Sequence, residues 1–182
     1  MWRLVVFAVA SALIAAASWR SLRKPATHGL PRFLAWQVMA ALVLLNVEHW
    51  FADPWSPLQL LSWVLLVGSL LLVVSGLHLL RTHGRPSDEG AQPTNYAWEN
   101  TSQLIDVGVY RYVRHPMYAS LLLLTWGVFL KHVSVAGFLL SVTASTCLVV
   151  TAHVEEREDV ARFGEAYSAY RRRTRRFIPF IY

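Results

Sequence analysis

Apolar runs at about residues 2–18, 33–51, 58–80, 117–130 and 133–153 constrain this chain more than any other feature. A run approaching ~20 apolar residues crosses a bilayer as a helix, because a helix satisfies its own backbone groups where no water can. Composition agrees: 55% of the residues are hydrophobic and 15% charged, against the roughly 25% charged of a soluble domain. The expectation is an all-α integral membrane protein. It has about five transmembrane helices, the last two forming a helical hairpin, and a cytosolic or interfacial C-terminal helix. The first run, with Arg3 at its start and alanines within it, also fits a signal peptide, but the four later runs need a membrane in either case.

The formal net charge is +6. The basic residues lie between and after the apolar runs, so they read as topological and no nucleic-acid partner is expected. Arg20, Arg23, Lys24 and Arg32, then Arg81, Arg85, Arg111 and Arg114, then the tail arginines from Arg157 to Arg176 share one side if the runs alternate. Arg3 and Lys131 are left for the other side. The positive-inside rule therefore predicts an outside N-terminus and a cytoplasmic C-terminus. The chain divides into N-terminal helices (1–80), an irregular inside loop rich in Gly and Pro (81–115), and a hairpin with its tail (116–182). Asn100–Ser102 fits a glycosylation sequon, but its inside location makes chance the better reading. The single cysteine, Cys147, reads as a small buried hydrophobe.

The chemistry concentrates at "YRYVRHPMY", Tyr110 to Tyr118, at the mouth of the fourth run. Proline after histidine suits the first turn of a helix and pushes His115 out of helical geometry, so Pro116 starts the fourth helix. That helix is short. About fourteen residues cover ~21 Å, less than the ~30 Å hydrocarbon core, which places the motif at the membrane surface or slightly within it. Its first-turn N–H groups, with Arg114 and His115, make a positive pocket suited to a carboxylate or phosphate. The hairpin then returns "AHVEERE" to the same side, bringing Glu155 and Glu156 near the turn. Such a mixture suits a zwitterionic, partly cationic ligand. In the tail, Val160, Phe163, Tyr167 and Tyr170 form one apolar-aromatic stripe on a helix along the membrane surface, with Gly164 inside it and "RRRTRR" toward anionic headgroups.

"GVYRYVRHPMY", the paired glutamates and "FGEAYSAYRRRTRRFIP" resemble the isoprenylcysteine carboxyl methyltransferase family, and the wider membrane methyltransferases that include phospholipid N-methyltransferases. The resemblance covers about 108–179. It implies S-adenosylmethionine as cofactor and a lipophilic methyl acceptor that enters from the bilayer. It implies that Tyr110, Tyr112, His115, Pro116, Tyr118, Glu156 and Tyr170 bind the cofactor. Arg173, Arg176 and Glu155 take the catalytic roles. Three positions depart from the family pattern: Ser120 where glycine is frequent, Asp159 where leucine is usual, and Arg175 where proline is common.

Methyl transfer needs alignment and a dry site more than acid or base. A carboxylate acceptor would need only to be held, by Arg173 or Arg176, whereas an amine or thiol must lose a proton, to Glu155, Glu156 or His115. Alternatives are a phospholipid or small-molecule N- or S-methyltransferase of the same fold, a nicotinamide-dependent membrane reductase of the sterol type, and a non-catalytic subunit. Glu48 and His49 read as a water-exposed helix end, and His78 as structural. No metal is expected, because His78 and His83 lack ligand spacing.

Overall fold

In the computed structural model the residues described are 1–23, 27–84 and 103–179. The helices are α1 (Trp2–Leu22), α2 (Gly29–Asn46), α3 (Pro57–His83), α4 (Pro116–Phe129), α5 (Val135–Phe163) and α6 (Glu165–Arg173), with 3-10 turns at Val47–His49 and Gly108–Arg111. α1, α2 with its 3-10 turn, α3 and α5 are long and apolar enough to cross a membrane. The chain is an all-α integral membrane protein. Much of the loop expected to be irregular, with its sequon, lies outside the described residues.

α4 packs chiefly on α3, and α5 on α2, while α1 leans on α2. Small residues allow these approaches: a Cβ at Gly127 would meet Leu66 at 3.0 Å, and one at Gly76 would meet Met117 Sδ at 3.1 Å. The interior is built around Ala35, Tyr118, Ala119, Leu148, Ala152 and Phe177. Leu4, Leu13, Leu70, Leu71, Val74 and Leu139 are exposed, as suits helices whose outer surface is solvated by lipid.

α4 has 14 residues, as its sequence predicts, and side-chain donors explain how it can stop there. A helix ends in carbonyls with no intrahelical partner, which are costly inside a bilayer. Here Ser62 Oγ donates to Gly127 O at 2.7 Å, Asn46 Nδ2 to Val128 O at 3.0 Å, and Gln59 Nε2 to Lys131 O at 3.1 Å. Lys131 is buried, donates to Gln59 Oε1 at 3.0 Å, and lies 3.5 Å from the Trp63 ring centroid. Its positive charge also complements the C-terminal end of the α4 dipole. Gln59→Leu strands a buried carbonyl and the lysine together, so a loss of roughly 1–3 kcal/mol is expected, read as a lower unfolding midpoint in detergent.

α5 departs most from expectation. It runs on through the charged stretch to Phe163, 29 residues in all, or ~43 Å. That exceeds the ~30 Å core, so the turns from Val154 to Phe163, dense in Glu, Asp and Arg, stand beyond the apolar span on the side of the motif. Gly164 is not inside a helix, contrary to the sequence reading. Its φ of +59° ends α5 and redirects the chain into α6. A Cβ there would meet nothing within 4 Å, so the glycine is required by backbone conformation rather than by space.

The α1–α2 connection is tied to the α5 extension. His28 is fully buried, its Nδ1 lies 2.6 Å from Glu158 Oε2, and its backbone N–H donates to Glu158 Oε1 at 3.1 Å. Burial alone would lower the His28 pKa, but the Glu158 contact and the Glu155 charge raise it above 6.5. The stabilisation is then complete below the ordinary value and is lost as pH rises through the raised one. Thermal unfolding across that window should show stability falling with pH, and His28→Gln should flatten the dependence.

Candidate cofactor site at the junction of α4, α5 and α6

The motif folds as a tight turn feeding a helix. Gly108 has a φ of +58°, a conformation that favours glycine, and a Cβ there would lie 2.6 Å from Leu79 Cδ1, so the leucine tip would have to shift. The 3-10 turn follows, and His115, at φ −119° and ψ 61°, stays outside the helix that Pro116 opens. The φ is that expected before proline, while the ψ falls short of the extended range, and both keep His115 out of the helical region.

The tail returns to this turn as extended backbone. Val113 and Arg175 form a parallel bridge: Arg114 N–H donates to Arg175 O at 2.8 Å, His115 N–H to Arg176 O at 3.1 Å, and Arg175 N–H to Tyr112 O at 2.9 Å. Tyr170 adds a buried hydrogen bond from its hydroxyl to Tyr110 O at 2.7 Å. Arg114 Nη1 donates to Thr174 O at 2.6 Å and Arg171 O at 3.2 Å, capping the C-terminal end of α6 with positive charge.

Glu156 locks the assembly. Its side chain is 3% exposed and accepts from Arg114 Nε at 2.9 Å, and from Arg176 Nε at 3.1 Å and Nη2 at 3.0 Å. The two contacts from Arg176 form a bidentate fork. Burial works against ionisation, but His115, Arg176 and Arg114 outweigh it and hold the carboxyl well below the usual carboxylate range. Glu156 therefore stays ionised and serves as an electrostatic rivet between α5, the motif and the tail.

Beside the rivet lies a cavity. Of the residues picked from sequence, Tyr110, His115, Pro116, Tyr118, Glu155 and Tyr170 line it. Glu156, Tyr112, Arg173 and Arg176 do not. Tyr112 is 49% exposed. Arg173 pairs with Asp106 at 2.5 Å, and Arg176 is engaged by Glu156 and by His153 Nε2 at 3.1 Å. Sequence reasoning passed over Asp159, Arg162 and Phe163 as lining residues, while Tyr167, which it left between surface anchor and ligand, lines the cavity too. Positions 155, 159, 162 and 163 follow the three- and four-residue steps of one helix face, a signal available once α5 is known to continue. Tyr167 and Tyr170, at 3% and 2% exposure, are interior residues and not surface anchors.

Unspent hydrogen-bonding capacity remains in the cavity. His115 is 6% exposed, and its Nε2 faces Glu156 Oε1 at 3.5 Å without completing a hydrogen bond. Glu155 Oε2 is buried without a hydrogen bond, 3.8 Å from His115 Nδ1. Buried polar atoms of this kind are ordinarily satisfied by a partner, whether a ligand group or a water. Among the described residues, no three His, Cys, Asp or Glu side chains gather closely enough to hold a metal ion.

Comparison with known proteins identifies a family. The family described as phospholipid methyltransferase matches residues 59–166, which include most of α3, the motif and the α5 extension. A methanethiol S-methyltransferase from Crocosphaera subtropica is 36% identical over 72 residues, covering 40% of this chain and 28% of the relative. Methanethiol S-methyltransferase 2 from Bradyrhizobium diazoefficiens is 36% identical over 75 residues, 41% of this chain and 28% of the relative. Methanethiol S-methyltransferase from Pseudomonas deceptionensis is 24% identical over 195 residues, 97% of this chain and 70% of the relative. The chain thus spans little more than a quarter of the first two relatives. No solved structure matches.

Proposed function

The chain belongs to the phospholipid methyltransferase family, and from that premise we propose that it is a membrane methyltransferase. It takes S-adenosylmethionine from the cytoplasmic side and a lipophilic acceptor from the bilayer. The cavity at the α4–α5–α6 junction carries the reading, because its free groups match the ligand. Glu155 Oε2 would accept from the cofactor's ammonium, and His115 Nε2 would donate to its carboxylate, with Arg114 and the start of α4 adding positive potential. Tyr110, Tyr118, Tyr167 and Tyr170 supply aromatic surface for the adenine and the sulfonium. When bound, the cofactor supplies an electrophilic methyl group, its sulfur keeping the electron pair of the broken bond.

The protein's own part is alignment and exclusion of water. The Glu156 rivet holds the tail against the motif, so α6 can close the cavity from the cytoplasmic face. Arg173 and Arg176, assigned by resemblance to catalysis, act through Asp106 and Glu156 and hold the wall. The positions of the basic residues support an outside N-terminus and a cytoplasmic C-terminus.

A small thiol is the acceptor we favour over a prenylcysteine carboxylate. The relatives are named for S-methylation of methanethiol. Labelled methyl transfer by detergent-purified protein tests this. The label is expected in a volatile thioether when methanethiol is supplied. Transfer to a prenylcysteine carboxylate with none to methanethiol would contradict it.

A further inference from the structure

Asp159 stands where the family resemblance has leucine, and the structure places it in the cavity wall one helical turn after Glu155. The two acids are not the whole observation, since His115 lines the same cavity, 94% buried, and its Nε2 makes no hydrogen bond. Resting on the methyltransferase reading above, we propose that Asp159 is a catalytic base that removes the proton from a thiol acceptor. The acceptor's S–H bond breaks, the proton passes to a carboxylate oxygen of Asp159, and sulfur keeps the electron pair with which it binds the incoming methyl group. The proton then leaves to water through the cytoplasmic mouth, restoring the carboxylate.

Neighbouring groups support the assignment. Glu156 is saturated by arginines and held ionised, so it has no useful proton affinity. Asp159 is different. Burial first, and then the Glu155 carboxylate, push it up to about 7, with Glu158 adding to the rise, while His115 and a hydrogen bond from the Tyr167 hydroxyl oppose it. Arg114 and Arg162 complete the charged groups around the cavity. A base works best with a pKa near the working pH, where enough of it is deprotonated and it still holds the proton it receives. Leucine would serve a carboxylate acceptor equally well, because such an acceptor arrives ionised.

Asp159→Asn and Asp159→Leu test the proposal with S-adenosylhomocysteine and methanethiol as probes. Both variants should bind S-adenosylhomocysteine within about threefold of the unsubstituted protein, while kcat at neutral pH falls by about 10²–10⁴-fold. The loss should shrink as pH rises toward the thiol's own pKa, and Asp159→Glu should restore much of the rate. Apart from activity, infrared difference spectra on titration should show a protonated-carboxyl band that disappears as pH passes through about 7 and is missing in Asp159→Asn. Wild-type turnover and pH profile in both variants, or a band unaffected by the substitution, would overturn the assignment while leaving the methyltransferase reading intact. Failure of the unsubstituted protein to bind S-adenosylhomocysteine would overturn both.

Discussion

Replacing Glu156 with leucine is expected to lower stability by about 3–5 kcal/mol, the cost of breaking a buried ion pair from one side. The carboxylate lies between Arg114 and Arg176 at 2.9–3.1 Å, and the Arg114 side chain is only 9% exposed. Without Glu156, two guanidinium groups are left facing each other with no counterion, and the bridge between Val113 and Arg175 loses the charge that clamps it. The unfolding midpoint in detergent should drop, and trypsin should cut at Arg171, Arg173 and Arg175 faster than in the unsubstituted protein. Because Glu156 does not line the cavity, any loss of cofactor affinity should follow the release of the tail. Low temperature or an acidic lipid that steadies the arginines should then partly restore binding. Glu156→Gln, which keeps the shape and removes the charge, should give an intermediate result.

His115→Ala should act on binding directly. The ring is 94% buried, lines the cavity, stacks on Tyr118 with centroids 5.5 Å apart, and has no hydrogen bond at Nε2. A hydrogen bond to a charged ligand group contributes about 1.5–3 kcal/mol, so S-adenosylhomocysteine should bind roughly ten- to a hundredfold more weakly. Titration calorimetry checks this, with far-ultraviolet dichroism as the control for folding. Unchanged affinity in a folded variant would place the cofactor's carboxylate elsewhere.

The two neighbouring glutamates show how far the sequence can be read. The hairpin guarantees that both return to the arginine–histidine–proline turn. Consecutive residues on a helix point about 100° apart, however, so one faces the arginines and the other the cavity. Which is which depends on the roll of α5 against α2 and α4, and no local pattern specifies it. Similarly, Pro116 as a helix start was legible from chain chemistry alone. The return of Thr174–Arg176 as extended backbone was not, because three residues among arginines carry no periodicity. Arg173 closes the last turn of α6 and reaches Asp106, whereas Arg176, on the extended segment, reaches Glu156. Their equal standing in the sequence dissolves at Thr174.

Gly164 and the short α4 give the same lesson from opposite sides. A glycine in an amphipathic stripe reads as a helical defect until its positive φ reveals a break, after which Val160 and Phe163 belong to one helix and Tyr167 and Tyr170 to another. The length of α4 was plain from its apolar run. The donors that let it end there, Asn46, Gln59 and Ser62, are scattered over α2 and α3 and converge only through packing. Asp159 was visible as a departure from the family pattern, but its meaning needed the α5 extension to be helical.

The central claim is that the cavity between α4, α5 and α6 holds S-adenosylmethionine, and ligand binding to the detergent-purified protein tests it most directly. Titration with S-adenosylhomocysteine and, separately, with NADPH should give saturable binding of the first and none of the second. Saturable affinity for NADPH alone would contradict the account.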